Sequence, residues 1–295
     1  MASISHSLEY FAARIGAFIA NLLTSSQADA FGAGLGKLTY RLLASRRKIA
    51  LENLRQAFNG SMSEAERVII ARKVFENMGR TVVELARLGK LKGETAKRII
   101  KSGGAGKALI EVLSHGKGGI VVFGHFGNWE LTGAWVAASG FPVDFMVAKQ
   151  HNKYINSMVN TIRADLGGGI ITSNASARQL FKTLKANRLA VIVADQHAPS
   201  GGVMVPFFGR MASTAKGPAY FSIRTGAPII PLMMRREKYD SHILMRGDII
   251  YPGSANNEET EILTITKKFT EFFEQTIRQY PDQWMWTHRR WKVQS

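Results

Sequence analysis

The chain contains no cysteine. Disulfides and thiolate-bound metals are thereby excluded, and a reducing compartment is compatible with the sequence. Acidic residues are scarce: 22 Asp and Glu stand against 39 Lys and Arg, a net charge of +17. A field of that sign draws polyanions, whether nucleic acid, an anionic membrane, or an acidic or phosphorylated partner. No run of about 20 apolar residues occurs, so no ordinary transmembrane helix is expected. The N-terminus lacks a basic segment followed by a cleavage site, which argues against a cleaved signal peptide. Gly-x-Ser-x-Gly is missing, which speaks against a serine hydrolase of that type. His-Glu-x-x-His, a zinc signature, is missing too. Gly103-Gly104-Ala105-Gly106-Lys107 only imitates a phosphate loop. Lys101 stands where the Walker pattern needs its first glycine, and Ala108 follows the lysine, so the stretch reads as a flexible turn.

What is present divides at about residue 92. Leu8, Phe11, Ala12, Ile15, Phe18, Ile19, Leu22 and Leu23 fall on one face of a helix over about 8–23. That length is short for spanning a bilayer and suits lying in its interface. An ordinary amphipathic helix packed on the domain is the alternative. Residues 31–91 read as further helices, with a break at Asn59-Gly60 and a capping box from Ser63 to Glu66. After Gly93 strands and helices alternate. Strands are expected at 119–123, 143–148, 189–194, 227–233 and 242–250, and helices at 131–139, 154–166, 175–185, 214–225 and 258–280. This is the pattern of an α/β sandwich with a mostly parallel sheet. The expected organisation is a helical region, 1–92, packed as one unit with an α/β domain, 93–295. Basic clusters at Arg46-Arg47-Lys48, Arg235-Arg236 and Arg289-Arg290 with Lys292 read either as anion-binding patches or as solvated faces.

One stretch carries chemistry: Gly124-His125-Phe126-Gly127-Asn128-Trp129-Glu130. It joins the apolar strand at 119–123 to the helix at 131–139. Residues five apart on a continuous helix differ by roughly 140° in azimuth, so His125 and Glu130 face one another only if the chain bends between them. Gly127 permits the bend, and Asn128 is a good N-cap. Glu130 then lands in the first helical turn, where the helix dipole favours its ionised form. A carboxylate there is expected to orient the imidazole, which takes a proton from an attacking hydroxyl, a step worth about 10²–10⁴-fold. No nucleophile stands beside the histidine, so no covalent acyl-enzyme is expected. A structural histidine in a glycine loop is the bland alternative.

Further blocks stand at Asp195-Gln196, Gly202 to Gly209, Gly217-Pro218-Ala219, Thr225 to Pro231 and Pro281 to Lys292, with Arg46 to Ala50, Asn53-Leu54 and Ala57-Phe58 upstream. The His-x4-Glu block alone resembles glycerolipid-type acyltransferases. With the other blocks, nearly the whole chain resembles the late acyltransferases of lipid A, the lauroyl/myristoyl transferases of the lysophospholipid-acyltransferase-like superfamily. The resemblance implies a glycerolipid-acyltransferase-like fold and an enzyme on the cytoplasmic side of the inner membrane, held there through its N-terminal helix. It implies transfer of a fatty acyl chain from acyl carrier protein to a hydroxyl on a phosphorylated glucosamine disaccharide. No metal or cofactor is implied beyond the acyl donor, with acyl-CoA as the alternative. Acyl carrier protein is acidic and the glycolipid carries phosphates, so the positive charge suits both. Residue by residue, His125 would be the base, Glu130 its orienting partner, and Arg163 and Asp195 matching family positions. A pairing of Arg163 with Asp195 is expected. Arg163, Asp195, Gly127, Asn128 and Gln196 would bind substrate, Arg163 holding an anionic group or the site's carboxylates by forked hydrogen bonds.

Several readings remain open at this level. Val203, Val205, Phe207 and Phe208 could line an acyl groove or lie in the core. Trp284, Trp286 and Trp291, interleaved with Arg289 and Arg290, could stack on single-stranded nucleic acid, sit at a membrane surface, or pack inside. Oxyanion donors could come from backbone amides at 124–128 or in the 201–209 loop. The competing functions are acylation of another glycolipid, an aminolipid or a glycerol phosphate, and a non-catalytic basic protein binding membrane or nucleic acid. The His125 and Asp195-Gln196 blocks argue against the last, since binding needs neither, and no nucleic-acid partner is expected.

Overall fold

The computed structural model describes residues 4–147, 152–172, 176–253 and 257–292. Seven strands form one sheet in the order β1 (Ile100–Lys101), β9 (Ser241–Arg246), β8 (Ile229–Lys238), β2 (Gly119–Gly127), β5 (Leu189–Val193), β3 (Val143–Val147), β4 (Gly169–Thr172). Every neighbouring pair is parallel except β8 with β9. The central strand explains why: Ile120, Val121 and Val122 are all fully buried, so both faces of β2 need a covering layer. Ile120 and Val122 point into one core with α3 (Ala44–Ala57), α4 (Glu64–Ala86), α10 (Ser176–Lys185), α11 (Gly217–Thr225) and α12 (Glu258–Gln279). Val121 and Phe123 point into the other with α5 (Leu88–Leu91), α6 (Glu94–Ile99), α7 (Ala105–Ser114) and α8 (Trp129–Ala138). The first core thus includes helices from both sides of residue 92.

The expected elements fall within a few residues of those observed, with instructive exceptions. The segment expected as a loop at 201–209 is largely β6 (Gly202–Phe207), paired antiparallel with β7 (Arg210–Ala215) as a separate hairpin. Thr214 and Ala215 belong to β7, so the helix expected from 214 starts at Gly217. The turn expected at the glycine stretch is present at Gly103 and Gly104, whose φ of +54° and +82° launch α7.

In the N-terminal region, α1 (Ile4–Leu22) and α2 (Ser25–Leu42) precede α3, and α2 starts on a capping box from Thr24 to Gln27. α2 lies against α4 at very close range. A Cβ on Gly36 would stand 2.2 Å from the Phe75 carbonyl oxygen, and one on Gly79 2.2 Å from that of Gly32. On α1, Phe11, Ile15, Phe18, Ile19 and Leu22 are exposed, so the apolar stripe faces outward rather than onto the domain; the Leu8 side chain lies outside the described residues. Phe31, Leu38 and Leu42 of α2 and the adjoining Leu43 are exposed as well. No helix among the described residues is long and apolar enough to cross a membrane.

Candidate active site

His125 stands on a distortion of the central strand. Between Phe123, paired with Leu232, and Gly127, paired with Met234, β2 advances four residues while β8 advances two. The extra length bulges outward at the carboxyl end of the strand and re-aims the side chains there. Gly127 ends the bulge at φ +53°, and a Cβ on it would lie 1.9 Å from the Met234 carbonyl oxygen. Asn128 then caps α8, its Oδ1 accepting from the amides of Glu130 and Leu131. The bend, the cap and the first-turn Glu130 are therefore placed as their residue types required.

The partners of the two acidic groups are exchanged relative to expectation. Asp195, two residues beyond β5, accepts from His125 Nδ1 at 2.9 Å and from the His125 backbone amide at 2.8 Å. Glu130, expected to orient the imidazole, is instead held by Arg163 of α9 (Lys153–Ala164) through a two-point contact, Nε to Oε2 at 3.1 Å and Nη2 to Oε1 at 2.6 Å. Arg163 accordingly pairs with Glu130 and not with Asp195. The reason is geometric: His125 sits on the bulge beside the end of β5, while Glu130, in the first turn of α8, faces α9. Trp129 completes the arrangement, its Nε1 donating to Glu130 Oε1 at 3.1 Å and its ring edge-on to the imidazole at 5.0 Å.

Trp284 was legible only as one of several tryptophans, and it proves to be a third donor to Asp195, Nε1 to Oδ2 at 2.7 Å. The C-terminal segment is laced onto the bulge: Trp284 bridges Phe126, and the Met285 amide donates to the His125 carbonyl. Trp284 and Trp286 are buried, packed with Phe207 and Phe208, so these rings are core rather than a stacking platform. Val205, Phe207 and Phe208 likewise belong to the core. The basic clusters are partly structural too, since Arg236 and Arg290 are buried.

Burial pushes the Asp195 carboxyl up, but the His125 charge, hydrogen bonds from its ring and from Trp284, and the His125 amide outweigh it and hold the group below the usual carboxylate range. An ionised Asp195 accepts, so in the neutral imidazole the proton is on Nδ1 and Nε2 has the lone pair. The Gln196 carboxamide lies 3.3 Å from the same Nδ1. The His125 amide is spent on Asp195 and the Phe208 amide on Glu274, which removes two of the expected oxyanion donors. Burial presses the Arg290 guanidinium down to about 10, the Asp195 charge opposing it, and Arg290 binds the Ser213 carbonyl and Thr214 hydroxyl of β7. His197 is held below its ordinary value by burial and by the charges of Lys292 and Arg290.

His125, Glu130, Arg163 and Gln196 open onto a cavity of about 630 Å³. It lies where β3 and β5 part company. Their pairing ends at Phe145 with Val191, and Met146, Val147, Ile192 and Val193 line the cleft that opens beyond, joined by Leu180 and Phe221. A crevice between diverging carboxyl ends of parallel strands is where open α/β sheets bind ligands, and its size is that of a small-molecule site. Its polar groups stand at one set of residues and its walls are mostly apolar. Gly127, Asn128 and Asp195 do not line it: Asn128 and Asp195 are buried behind it as supports. No cluster of three His, Asp or Glu suited to a metal occurs among the described residues.

The profile of the bacterial lipid A biosynthesis acyltransferases matches residues 2–293. The chain belongs to that family. Among similar proteins, the lipid A biosynthesis lauroyltransferase of Escherichia coli strain K12 is 27% identical over 271 residues, 89% of this chain and 84% of the relative. A lipid A biosynthesis palmitoleoyltransferase of the same strain is 24% identical over 271 residues, again 89% of this chain and 84% of the relative. A phosphatidylinositol mannoside acyltransferase of Mycolicibacterium smegmatis is 25% identical over 191 residues, 62% of this chain and 60% of the relative's length.

Proposed function

We propose that this chain transfers a fatty acyl group from acyl carrier protein to a hydroxyl of a lipid A precursor, a phosphorylated glucosamine disaccharide, at the cytoplasmic face of the inner membrane. The observation that carries the reading is a half-buried His125, backed by the buried Asp195, opening onto a mostly apolar cavity beside the Glu130–Arg163 pair. Family membership supports the reaction class and a glycolipid acceptor.

In this mechanism His125 Nε2 accepts the proton of the acceptor hydroxyl as its oxygen attacks the thioester carbonyl carbon. Asp195 holds the ring and stabilises the imidazolium that forms. The tetrahedral intermediate collapses by breaking the carbon–sulfur bond, and the imidazolium returns the proton to the departing sulfur. Ester and free thiol result, with no acyl-enzyme. Arg163 spends Nε and Nη2 on Glu130 and keeps Nη1 for a phosphate or a developing oxyanion. Gln196, next to the ring, supplies a second donor. The acyl chain lies in the cleft between β3 and β5. Residues 1–92 bring the site to the membrane and 93–295 carry it.

The test is mass spectrometry of a tetra-acylated precursor incubated with purified protein and acyl carrier protein thioesters of several chain lengths. One added acyl chain is expected. His125→Ala should reduce the rate by about 10²-fold or more; unimpaired transfer by that variant rejects His125 as the base. A second reading has a mannosylated phosphoinositide as acceptor and acyl-CoA as donor. The phosphatidylinositol mannoside acyltransferase among the relatives favours that acceptor. Parallel assays with both donors and both acceptors decide between them.

A further inference from the structure

Glu84 sits in the last turn of α4, outside the site and outside every block that drew notice in the sequence. Its side chain is only 14% exposed. Withdrawing a carboxylate from water costs stability unless specific partners replace the water, and an apolar residue of similar volume would serve packing alone as well. Glu84 has such partners. Oε2 accepts from Asn128 Nδ2 at 2.6 Å, and Oε1 accepts from Arg236 Nη1. Each contact begins a short covalent and hydrogen-bonded route to one half of the site.

Along the first route, the bond from Nδ2 fixes which way the Asn128 carboxamide points. Oδ1 is thereby left to accept from the Glu130 and Leu131 amides and cap α8. The two backbone donors and the Glu84 carboxylate thus hold the carboxamide in the same orientation from opposite sides. The first turn of α8 carries Glu130, and with it the Arg163 clamp. Along the second route, Arg236 Nη2 reaches Thr81 Oγ1 at 3.1 Å, and the Thr81 hydroxyl, its proton shared between the Asn77 and Gly127 carbonyls at 2.9 Å each, ties the end of the bulge to α4. The Arg236 backbone exchanges two hydrogen bonds with the Gln283 carboxamide, both at 2.8 Å. Gln283 precedes Trp284, the indole that donates to Asp195.

We propose that Glu84 is a positioning residue for both halves of the site, setting the α8 cap under Glu130 and the Gln283–Trp284 segment against Asp195. This rests on the reading of His125 and Glu130 as the groups that serve acyl transfer. Helix α4 therefore contributes to the geometry of the reaction while touching none of the reacting atoms. His242, 3.9 Å from Glu84 Oε1, is kept neutral by burial and does not compete for the charge.

Two variants test it. E84Q places an amide donor opposite either Asn128 Nδ2 or Arg236, so one contact becomes donor against donor. Small displacements of catalytic groups cost on the order of 10²-fold, so kcat should fall about 10–100-fold while KM stays within about threefold. The double variant E84Q/N128D reverses the polarity of the contact. The introduced glutamine then donates to the introduced aspartate and accepts from Arg236, while the second oxygen of that aspartate caps α8. It should regain most of the lost kcat. A readout independent of turnover is the ¹⁵N NMR spectrum of the histidine rings, where the His125 signals should shift in E84Q and return in the double variant. That spectrum separates this proposal from the catalytic one, because it responds to position even if His125 proves dispensable. A kcat for E84Q within twofold of wild type, or a double variant no better than the single, overturns the proposal. If E84Q does not fold, a folded and active double variant supports it and an unfolded or inactive one overturns it.

Discussion

Asp195 concentrates three donors on one carboxylate: the His125 ring, the His125 amide and the Trp284 indole. Asn at this position offers one acceptor oxygen, so at least one donor must face an amide group. Asp195→Asn should lose about 1–3 kcal/mol of stability and, because the imidazolium is no longer stabilised, about 10²–10⁴-fold in kcat with little change in KM. Steady-state kinetics with urea denaturation as control measures both. A second residue makes a prediction about acid. Burial lowers His242 from 6.5 to about 4, with Glu84 opposing and Arg236 reinforcing. Above pH 6.5 neither folded nor unfolded chain protonates it. Below that, the unfolded chain takes up a proton that the folded one refuses until about pH 4, so stability falls across that window. The displacement from 6.5 to about 4 corresponds to a loss on the order of 3 kcal/mol. Urea midpoints at pH 7 and pH 4.5 should differ less in His242→Gln than in the natural protein.

At the level of elements, the bulge in β2 is what turns a core strand into an active-site strand. Gly127 is fixed there by two independent constraints, φ of +53° and the 1.9 Å approach to the Met234 carbonyl. Gly127→Ala should cost about 1 kcal/mol for the backbone conformation and about 1–3 kcal/mol for displacing β8, and it should impair transfer by shifting His125. A thermal melt and the acyl-transfer assay on the same variant check this; unchanged stability would mean the bulge relaxes freely. The same element shows what a sequence discloses. The apolar run 119–123 announces a central strand, and glycine followed by Asn128 announces a bend and a cap, because those signals are local. The β6–β7 hairpin was hidden by Gly201, Gly202 and Pro206, which read as loop, although Pro206 is tolerable in a ladder of two edges. β4 lasts four residues after a run of glycines and β1 only two, too short for any period to show. The site was half legible for the same reason. His125 and Glu130 share one local block, but the partner of each lies 70 and 33 residues away, and Glu84 and Trp284 enter only through tertiary packing.

Over the whole molecule, the proposed membrane association rests on two features, the apolar stripe of α1 and the charge of +17. An amphipathic helix normally turns its apolar side to the core, yet Phe11, Ile15, Phe18 and Leu22 look outward, and Phe31, Leu38 and Leu42 of the adjoining α2 are exposed too. The residues that hold the region together lie on other faces, including the buried Ala20 on α1 and Gly32 and Gly36 on α2, which let the α4 backbone approach closely. Changing the outward stripe should therefore leave the fold intact. Two forces then act at an anionic bilayer: insertion of apolar side chains, worth about 1.5–3 kcal/mol each when fully buried, and attraction of about 1 kcal/mol per Lys or Arg near the surface, which salt screens. Phe18→Glu with Leu22→Glu removes part of the first and leaves the second. With partial insertion the loss is about 3 kcal/mol, or about 100-fold in partitioning. Cosedimentation with vesicles containing anionic lipid should show this loss most sharply at high salt, where charge no longer compensates. Transfer to a soluble, short-chain acceptor should be unchanged in the double variant, whereas transfer to a bilayer-embedded acceptor should fall with binding. Equal vesicle binding by the variant and the natural protein at high salt would mean that the exposed stripe is not what meets the membrane.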